Sequence, residues 1–400
     1  MNPEGYGPTQ ILILGGGFGG IATANTLRRL LPASHAITVI DQSPQFHVGA
    51  GKTWVMLGER AYGEISAERT NLLEPGVEFL QSEILQLDMP ARCVVTAAGP
   101  RRWDFLVIAL GTVLRQEVVP GLAGAHTFYT LAGVEKLRPV LADFTKGEIV
   151  LLIPKTPFKC PAAPYEAALL LQDFFARRGL SAAVRVNVYT VEGAPMATTG
   201  PEMGAFVRGE LSRAGIGYFP QKTVVRVDDV ARRVEFSDGT FVAYDLLMCV
   251  PPHEAPAVVR AAQLVGPSGW IPADPQTLEV KSAAGEGRVY AIGDVTSVAL
   301  PGRFKPDVGL SLPKAGVIAE GQGEVVAQRI ADLVGGRAPT ATFGGKGFCF
   351  LETGGGKAVK GEVLFFASPH PAMDRQTPST EDFTDKLAWV AQHLAPRRSS

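Results

Sequence analysis

Cysteine is scarce in this chain: there are four, at positions 93, 160, 249 and 349 of 400. So few, so widely spread, cannot staple a small secreted fold, and a disulfide here belongs to chemistry rather than to scaffolding. Charge of one sign is equally lacking. Lys and Arg number 38 against 39 Asp and Glu, a formal net charge of −1, which leaves no basic surface for nucleic acid. Long apolar runs are missing too. No stretch approaches the roughly 18 uninterrupted apolar residues of a spanning helix. Residues 1–9 are short and polar, with no room for the apolar segment of a secretory signal ahead of the first strand. The expected location is therefore the cytoplasm, in solution or peripherally on a membrane. No C-x-x-C-H haem motif occurs, so a haem or iron–sulfur centre would belong to another chain, and no metal site is expected.

What the chain does have is glycine and proline, 45 and 30 of them, the punctuation of an α/β protein with many tight turns. The β-rich run Gln10–Leu14 leads into Gly15-Gly16-Gly17-Phe18-Gly19-Gly20, a helical stretch over residues 21–31, and a second strand over 36–40 that ends at Asp41. Gly15, Gly17 and Gly20 have G-x-G-x-x-G spacing. That spacing gives a tight turn, bare backbone against a pyrophosphate, and close helix–strand packing with the helix N-terminus facing the negative charge. Asp41, about twenty residues beyond, stands where a carboxylate accepts hydrogen bonds from an adenosine ribose. Strand, glycines, helix, strand and acid in this order predict a dinucleotide site that includes Phe18.

Two later segments decide which dinucleotide. Residues 103–111 form a buried strand that ends in the small residues Ala109 and Gly111, and residues 288–294 form another that ends in Gly293-Asp294. They resemble the two returning segments of the glutathione-reductase-like flavoproteins, in which the second aspartate bonds the ribityl chain of FAD. The resemblance implies FAD at the first site. The fold class expected is α/β: two Rossmann-like, glutathione-reductase-type domains and a small C-terminal α+β region. The FAD-binding domain is placed at 1–112 and 246–330, an inserted Rossmann-like domain at 113–245, and the C-terminal region at 331–400. The insertion opens with a strand over 147–154 but then meets Pro157, Cys160, Pro161 and Pro164 where a second pyrophosphate would need bare N–H groups. No glycine motif follows, which argues against nicotinamide binding there. A strand over 185–190 and a hairpin over 223–243, turning at Asp238-Gly239, complete the insertion. In the last region, strands are expected at 347–354 and 362–366, and a helix at 381–394 with Phe383, Leu387, Val390 and Leu394 on one stripe.

Cys160 sits in a proline-rich turn before a helix, and Cys349 lies inside the aromatic strand segment Gly347-Phe348-Cys349-Phe350. Cys93 and Cys249 lie in apolar β-runs and read as packing residues. The segment Pro157-Phe158-Lys159-Cys160-Pro161, with Pro164-Tyr165-Glu166, resembles the first redox-cysteine segment of the sulfide:quinone oxidoreductase and flavocytochrome c sulfide dehydrogenase family. Gly347-Phe348-Cys349 resembles the second, and the likeness extends over essentially the whole chain. It implies that Cys160 and Cys349 bridge as a disulfide or polysulfide beside the flavin. It further implies that sulfide or a related sulfur compound is oxidised and that electrons pass to a quinone. Two features depart from the family: no cysteine lies between residues 111 and 159, where many members carry a third, and none lies in 42–51, so FAD should be non-covalent.

The alternatives are a flavoprotein subunit that passes electrons to a cytochrome, an NADH:quinone-type dehydrogenase, and oxidation of a low-molecular-weight thiol or persulfide. Cys160 ahead of a helix N-terminus is expected to be a stabilised thiolate. The segment Leu312-Pro313-Lys314-Ala315-Gly316 should open a long helix aimed at the flavin, with Lys314 and Ala315 against it. Phe348, Phe350, Phe365 and Phe366 are candidates for a quinone slot. The 383–394 stripe, with Trp389 nearby and Arg397-Arg398 at its end, is a candidate for contact with a membrane surface, with Asp385 and Lys386 on its polar side.

Overall fold

The computed structural model describes residues 7–282, 284–375 and 377–397, so Arg398 of the expected basic tail lies outside it. Along the chain come strand β1 (Gln10–Leu14), helix α1 (Phe18–Leu30), β2 (Ala36–Asp41) and the short helix α2 (Lys52–Met56). β3 (Glu78–Gln81) follows, then an antiparallel meander of β4 (Ile84–Asp88), β5 (Cys93–Thr96) and β6 (Gly99–Arg102), and then β7 (Phe105–Ile108). The second half opens with β8 (His126–Thr127) and β9 (Gly147–Ile153). Helix α3 (Ala163–Arg177), β10 (Val184–Thr190) and β11 (Gly217–Phe219) come next. A second meander, β12 (Val224–Asp228), β13 (Arg233–Phe236) and β14 (Phe241–Ala243), precedes β15 (Leu246–Cys249). The chain then returns through β16 (Val289–Ala291) and helix α4 (Gly316–Val334). It finishes with β17 (Lys346–Gly354), β18 (Lys357–Leu364), β19 (Ala372–Arg375) and helix α5 (Thr380–Leu394).

Two five-stranded sheets carry the fold. The first has the order β16-β7-β1-β2-β3 and the second β8-β15-β9-β10-β11, with every pair parallel. A parallel sheet is covered on both faces, so its strands read as continuous apolar runs. In the first sheet Ile11, Ile13, Phe105 and Val107 pack into one core, and Leu12, Leu14, Leu106 and Ile108 into the other. The return boundary expected at residue 246 falls inside the second sheet. β15 pairs with both β8 and β9, so the chain leaves that sheet only after Cys249. The pair Val113–Leu114 with His253–Glu254 forms the two-stranded crossing between the halves.

The C-terminal region is a three-stranded antiparallel sheet and one helix. Its second strand starts at Lys357, earlier than expected, because Gly354, Gly355 and Gly356 all have positive φ and turn the chain at once into β18. In that register Cys349 faces Gly361. Ser379 caps α5, its hydroxyl accepting from the Asp382 N–H at 3.0 Å. Helix α4 begins at Gly316 rather than at Leu312. Lys314 is held just before it on a bridge to Lys159.

Candidate active site

The glycine turn after β1 separates two uses of glycine. A Cβ on Gly15, whose φ is +98°, would stand 2.3 Å from the Ala109 carbonyl oxygen, and one on Gly20 would stand 1.9 Å from that of Gly15. Those two positions serve the fold. A Cβ on Gly17 would meet nothing within 4 Å, and Gly17 is the N-cap of α1 with no side chain bonded to the first turn. The result is a cradle of free N–H groups at the positive end of a helix, which a side chain would fill and a pyrophosphate fits.

Asp41 does more than was expected of it. Its Oδ2 accepts from Gly16 N at 2.8 Å and pairs with Arg69 at 3.2 Å, so the acid at the end of β2 also pins the glycine turn. Arg69 itself gave no signal in the sequence. At the returning strand ends, Ala109 N donates to Leu14 O at 2.7 Å, Gly111 has φ +63°, and Gly293 N donates to the Gln322 side chain of α4 at 2.7 Å. No hydrogen bond reaches the Asp294 carboxylate among the described residues. Burial pushes its pKa up, against the nearby charges of Lys159 and Lys314.

A cavity of about 320 Å³ joins the pieces. Its walls include Gly17 and Phe18 of the nucleotide turn, Asp294, Lys314 and Ala315 before α4, and both Cys160 and Cys349. Gly15, Gly20, Asp41, Ala109, Gly111 and Gly293 stand outside these walls, around the strand ends. The N-terminus of α4 opens on the cavity through Ala315, Gly316 and Val317, as the family resemblance implied. Lys314 is buried, and its ammonium donates to the carbonyls of Asp294 (2.6 Å) and Thr296 (2.9 Å) and lies 3.5 Å over the Trp270 ring. Burial lowers its pKa to about 8.

The fold thus brings the two cysteines expected to react onto one cavity, and both are free thiols. Cys160 takes the left-handed φ of +54°, a costly conformation for a residue with a side chain. Its N–H donates to Lys314 O at 2.7 Å and its carbonyl accepts from Ala163 N at 2.9 Å, which ties the turn down at both ends.

The thiolate expectation is corrected. Cys160 is exposed along the cavity, but the surrounding protein is dense, and burial together with the Glu166 carboxylate pushes its thiol up to about 11. The start of α3 does not offset them. Cys349 is pushed up to about 12 by burial, then by Cys160 and Glu166. Cys249 is fully buried in a β-run, in keeping with packing, and Cys93 is partly exposed at the start of the middle strand of the first meander.

Sequence reading missed a group of bases beside Cys160. Lys52, at the first position of α2, is buried and donates to the Tyr129 carbonyl at 2.6 Å, and burial lowers its pKa to about 7. Tyr129 in turn donates its hydroxyl proton to Lys159 O at 3.1 Å. His47 and His253 are held near pKa 3, first by burial and then by these lysines, so both are neutral at pH 7. None of these lies in a spaced motif, and only the folded chain gathers them.

The aromatic wall is partly as expected. Phe348 and Phe350 line the cavity, with ring centroids 5.6 Å apart, and both meet Trp389 of α5. Phe365 does not line it: it is 4% exposed and packs in the core with Ile318 and Val363. Phe366 sits edge-on to Phe343. The stripe on α5 also differs from a membrane-facing surface. Val390 is buried, Phe383, Leu387 and Leu394 pack on the body, and Trp389 stacks on Phe18 at 5.6 Å. Lys386, expected on the polar side, is 1% exposed and lies between the carboxylates of Glu166 and Glu352. A cation needs such partners in a core, and they turn that helix face inward. Among the described residues no helix is long and apolar enough to cross a membrane.

Comparison with known proteins adds three kinds of likeness. The family model for pyridine nucleotide-disulphide oxidoreductases matches residues 9–151. Mitochondrial sulfide:quinone oxidoreductase of Mus musculus is 25% identical over 376 residues, which span 90% of this chain and 79% of that protein. The type II NADH:quinone oxidoreductase of Staphylococcus haemolyticus is 23% identical over 371 residues, 83% of this chain and 84% of that protein. Among solved structures, the sulfide:quinone oxidoreductase from Aquifex aeolicus superposes with a TM-score of 0.82 at 22% identity, covering 96% of this chain and 90% of that one.

Proposed function

We propose that this chain, an FAD-dependent oxidoreductase similar to the sulfide:quinone oxidoreductases, oxidises sulfide through Cys160 and Cys349 and passes the electrons to a quinone. One observation carries the reading: two cysteines far apart in sequence open onto the same cavity as the nucleotide cradle at Gly17. Similarity to the sulfide:quinone oxidoreductases of Mus musculus and Aquifex aeolicus supports the substrate and the acceptor.

In this reading Gly17 and the first turn of α1 would hold the FAD pyrophosphate, Asp294 would accept hydrogen bonds from the ribityl chain, and the positive end of α4 would favour negative charge on the ring system. FAD, when bound, supplies a two-electron acceptor that hands electrons on to the quinone. The protein supplies the sulfur chemistry. Hydrosulfide attacks one sulfur of the Cys160–Cys349 disulfide and the S–S bond breaks, leaving one cysteine as a persulfide and the other as a thiolate. Lys52, Lys159 and Lys314 keep the cavity attractive to an anion such as hydrosulfide. Phe348, Phe350 and Trp389 offer flat apolar walls to a planar acceptor.

The NADH:quinone reading rests on similarity to the staphylococcal relative, and the chain at the end of β9 counts against it. That turn carries Pro154, Pro157, Pro161 and Pro164, so it presents few N–H groups to a second pyrophosphate. Anaerobic titration of the purified holoenzyme separates the two. Sulfide should bleach the flavin absorbance with tight stoichiometry, and NADH should leave it unchanged. Rapid bleaching by NADH and none by sulfide would replace this reading with the other.

A further inference from the structure

Beneath the two cysteines lies an ion cluster that the sulfide mechanism does not use. Glu166, in the first turn of α3, is 5% exposed, Glu352 of β17 is 4% exposed and Lys386 of α5 is 1% exposed. Lys386 Nζ donates to Glu166 Oε1 at 2.9 Å and also to Glu352 Oε1. Glu352 N donates to Glu166 Oε2 at 3.0 Å, and Trp54 Nε1 of α2 donates to Glu352 Oε1 at 2.8 Å. Four segments distant in sequence are fastened at one point. Two of them carry the cysteines, because Cys160 is in the turn that feeds α3 and Cys349 is on β17, shortly before Glu352.

We propose that Glu166 is a positioning residue: it clamps the turn of Cys160 to the strand of Cys349 and so fixes the gap that the two sulfurs must span. This rests on the reading of the pair as reactive. The physical case is geometric first. A disulfide demands Cα atoms roughly 4.4–6.8 Å apart, and α3 and β17 come from different halves of the chain with no backbone ladder between them. Asp173 of α3 accepts from Gly355 N just past the far end of β17 at 3.2 Å, and the Glu166 carboxylate supplies the tie nearer the cysteines, one of its two bonds being to the backbone of β17 itself. A buried carboxylate with a charged partner and a backbone donor is held in one place, whereas an apolar contact would let the strand slide.

The same carboxylate has an electrostatic signature. Its charge raises the thiol pKa of both Cys160 and Cys349, whereas Lys386 and Lys52 pull that of Cys160 down. Burial raises the pKa of Glu352, and against the pull of burial Glu166 and Glu352 hold the Lys386 ammonium above its ordinary range. Glu166→Gln keeps an oxygen for the Glu352 N–H, removes one charge and leaves a neutral Lys386–Glu352 pair, so the fold should survive. Glu166→Asp keeps the charge but withdraws it from the strand.

The test uses the full-length flavin-loaded protein with its thiols reduced. Iodoacetamide labelling of Cys160 and Cys349 is followed by peptide mass against pH, with Cys93 as the internal control. In Glu166→Gln both profiles should move to lower pH, with labelling about tenfold faster at pH 8, while that of Cys93 stays. In Glu166→Asp, the yield of the linked Cys160–Cys349 peptide after mild oxidation should drop several-fold. Unmoved thiol profiles in the first variant, or full pairing in the second, would overturn the proposal. Labelling requires no sulfide. A chain that ignores sulfide yet shows the faster labelling keeps this inference and loses the functional reading, and a chain that turns over sulfide with neither effect does the reverse.

Discussion

The two parallel sheets have nearly the same plan and opposite endings. Each puts its first long strand in the middle, β1 or β9, with two strands on one side and two on the other, and each carries a three-stranded meander just before a strand that flanks the central one, β7 or β15. At the end of β1 the chain turns on glycines with an acid, Asp41, pinning the turn. At the end of β9 it turns on prolines and puts Cys160 in a left-handed conformation. One sheet leaves the backbone bare, as a phosphate would need, and in the other a thiol stands in the same topological slot. Where a strand ends on a helix N-terminus, the side chains of the turn decide whether charge is bound or a bond is made.

That contrast can be broken at its strongest point first. Gly17→Val fills the one open position of the first turn, so the variant should fold but purify colourless, its bound flavin down by on the order of tenfold or more. Gly20→Val should instead fail to fold, because its Cβ collides with the backbone of Gly15. Absorbance at the flavin maximum and circular dichroism together separate the two outcomes, and a yellow Gly17→Val protein would remove the cradle. The second turn is tested next. Cys160→Ser and Cys349→Ser should each stay yellow while sulfide-dependent flavin reduction falls about a hundredfold or more in stopped flow. A fall in only one variant would make the pair a single working cysteine. Cys249→Ser buries a hydroxyl in the second sheet and should cost about 1–3 kcal/mol in denaturant unfolding, with the flavin reaction unchanged.

A gentler probe is pH. With thiols raised to about 11 and 12 by burial, Cys160 and Cys349 are neutral at pH 8, and their thiolate fraction grows until the pH passes those values. Alkylation of the reduced protein should therefore climb roughly tenfold per pH unit between 8 and 10 at both sites. A plateau by pH 9 would mean that the helix end, not burial, governs Cys160.

Much of this was legible in the sequence because the signals were local. The run from Gln10 to Asp41 carries strand, turn, helix and acid in order, and each has a period or a spacing of its own. Cys160 and Cys349 stood out by their unusual neighbours. Other features were not legible because they exist only across the fold. Lys386 sits among polar residues on α5 and reads as solvated, and only Glu166 and Glu352, brought from two other elements, make it a core residue. Phe365 follows the end of β18, next to the start of the strand that carries the cavity phenylalanines, but it packs in the core. The matching plan of the two sheets has no counterpart as a sequence repeat, since topology is kept by apolar burial that many residues satisfy. Lys52, Arg69 and His253 belong to no motif, and their gathering beside the cavity is a property of two short helices and a strand far apart in sequence.

The sulfide reading turns on Cys160 and Cys349 acting as one redox pair on the cavity proposed for the flavin. Non-reducing peptide mapping of the full-length protein, trapped with an alkylating agent after limited anaerobic sulfide addition, addresses it directly. The expected result is a Cys160 peptide linked to the Cys349 peptide in the oxidised protein, by a direct disulfide or through an inserted sulfur, that opens to a persulfide on one of the two when sulfide is added. Recovery of both peptides unlinked and alkylated, before and after sulfide, from a protein that still oxidises sulfide would contradict it.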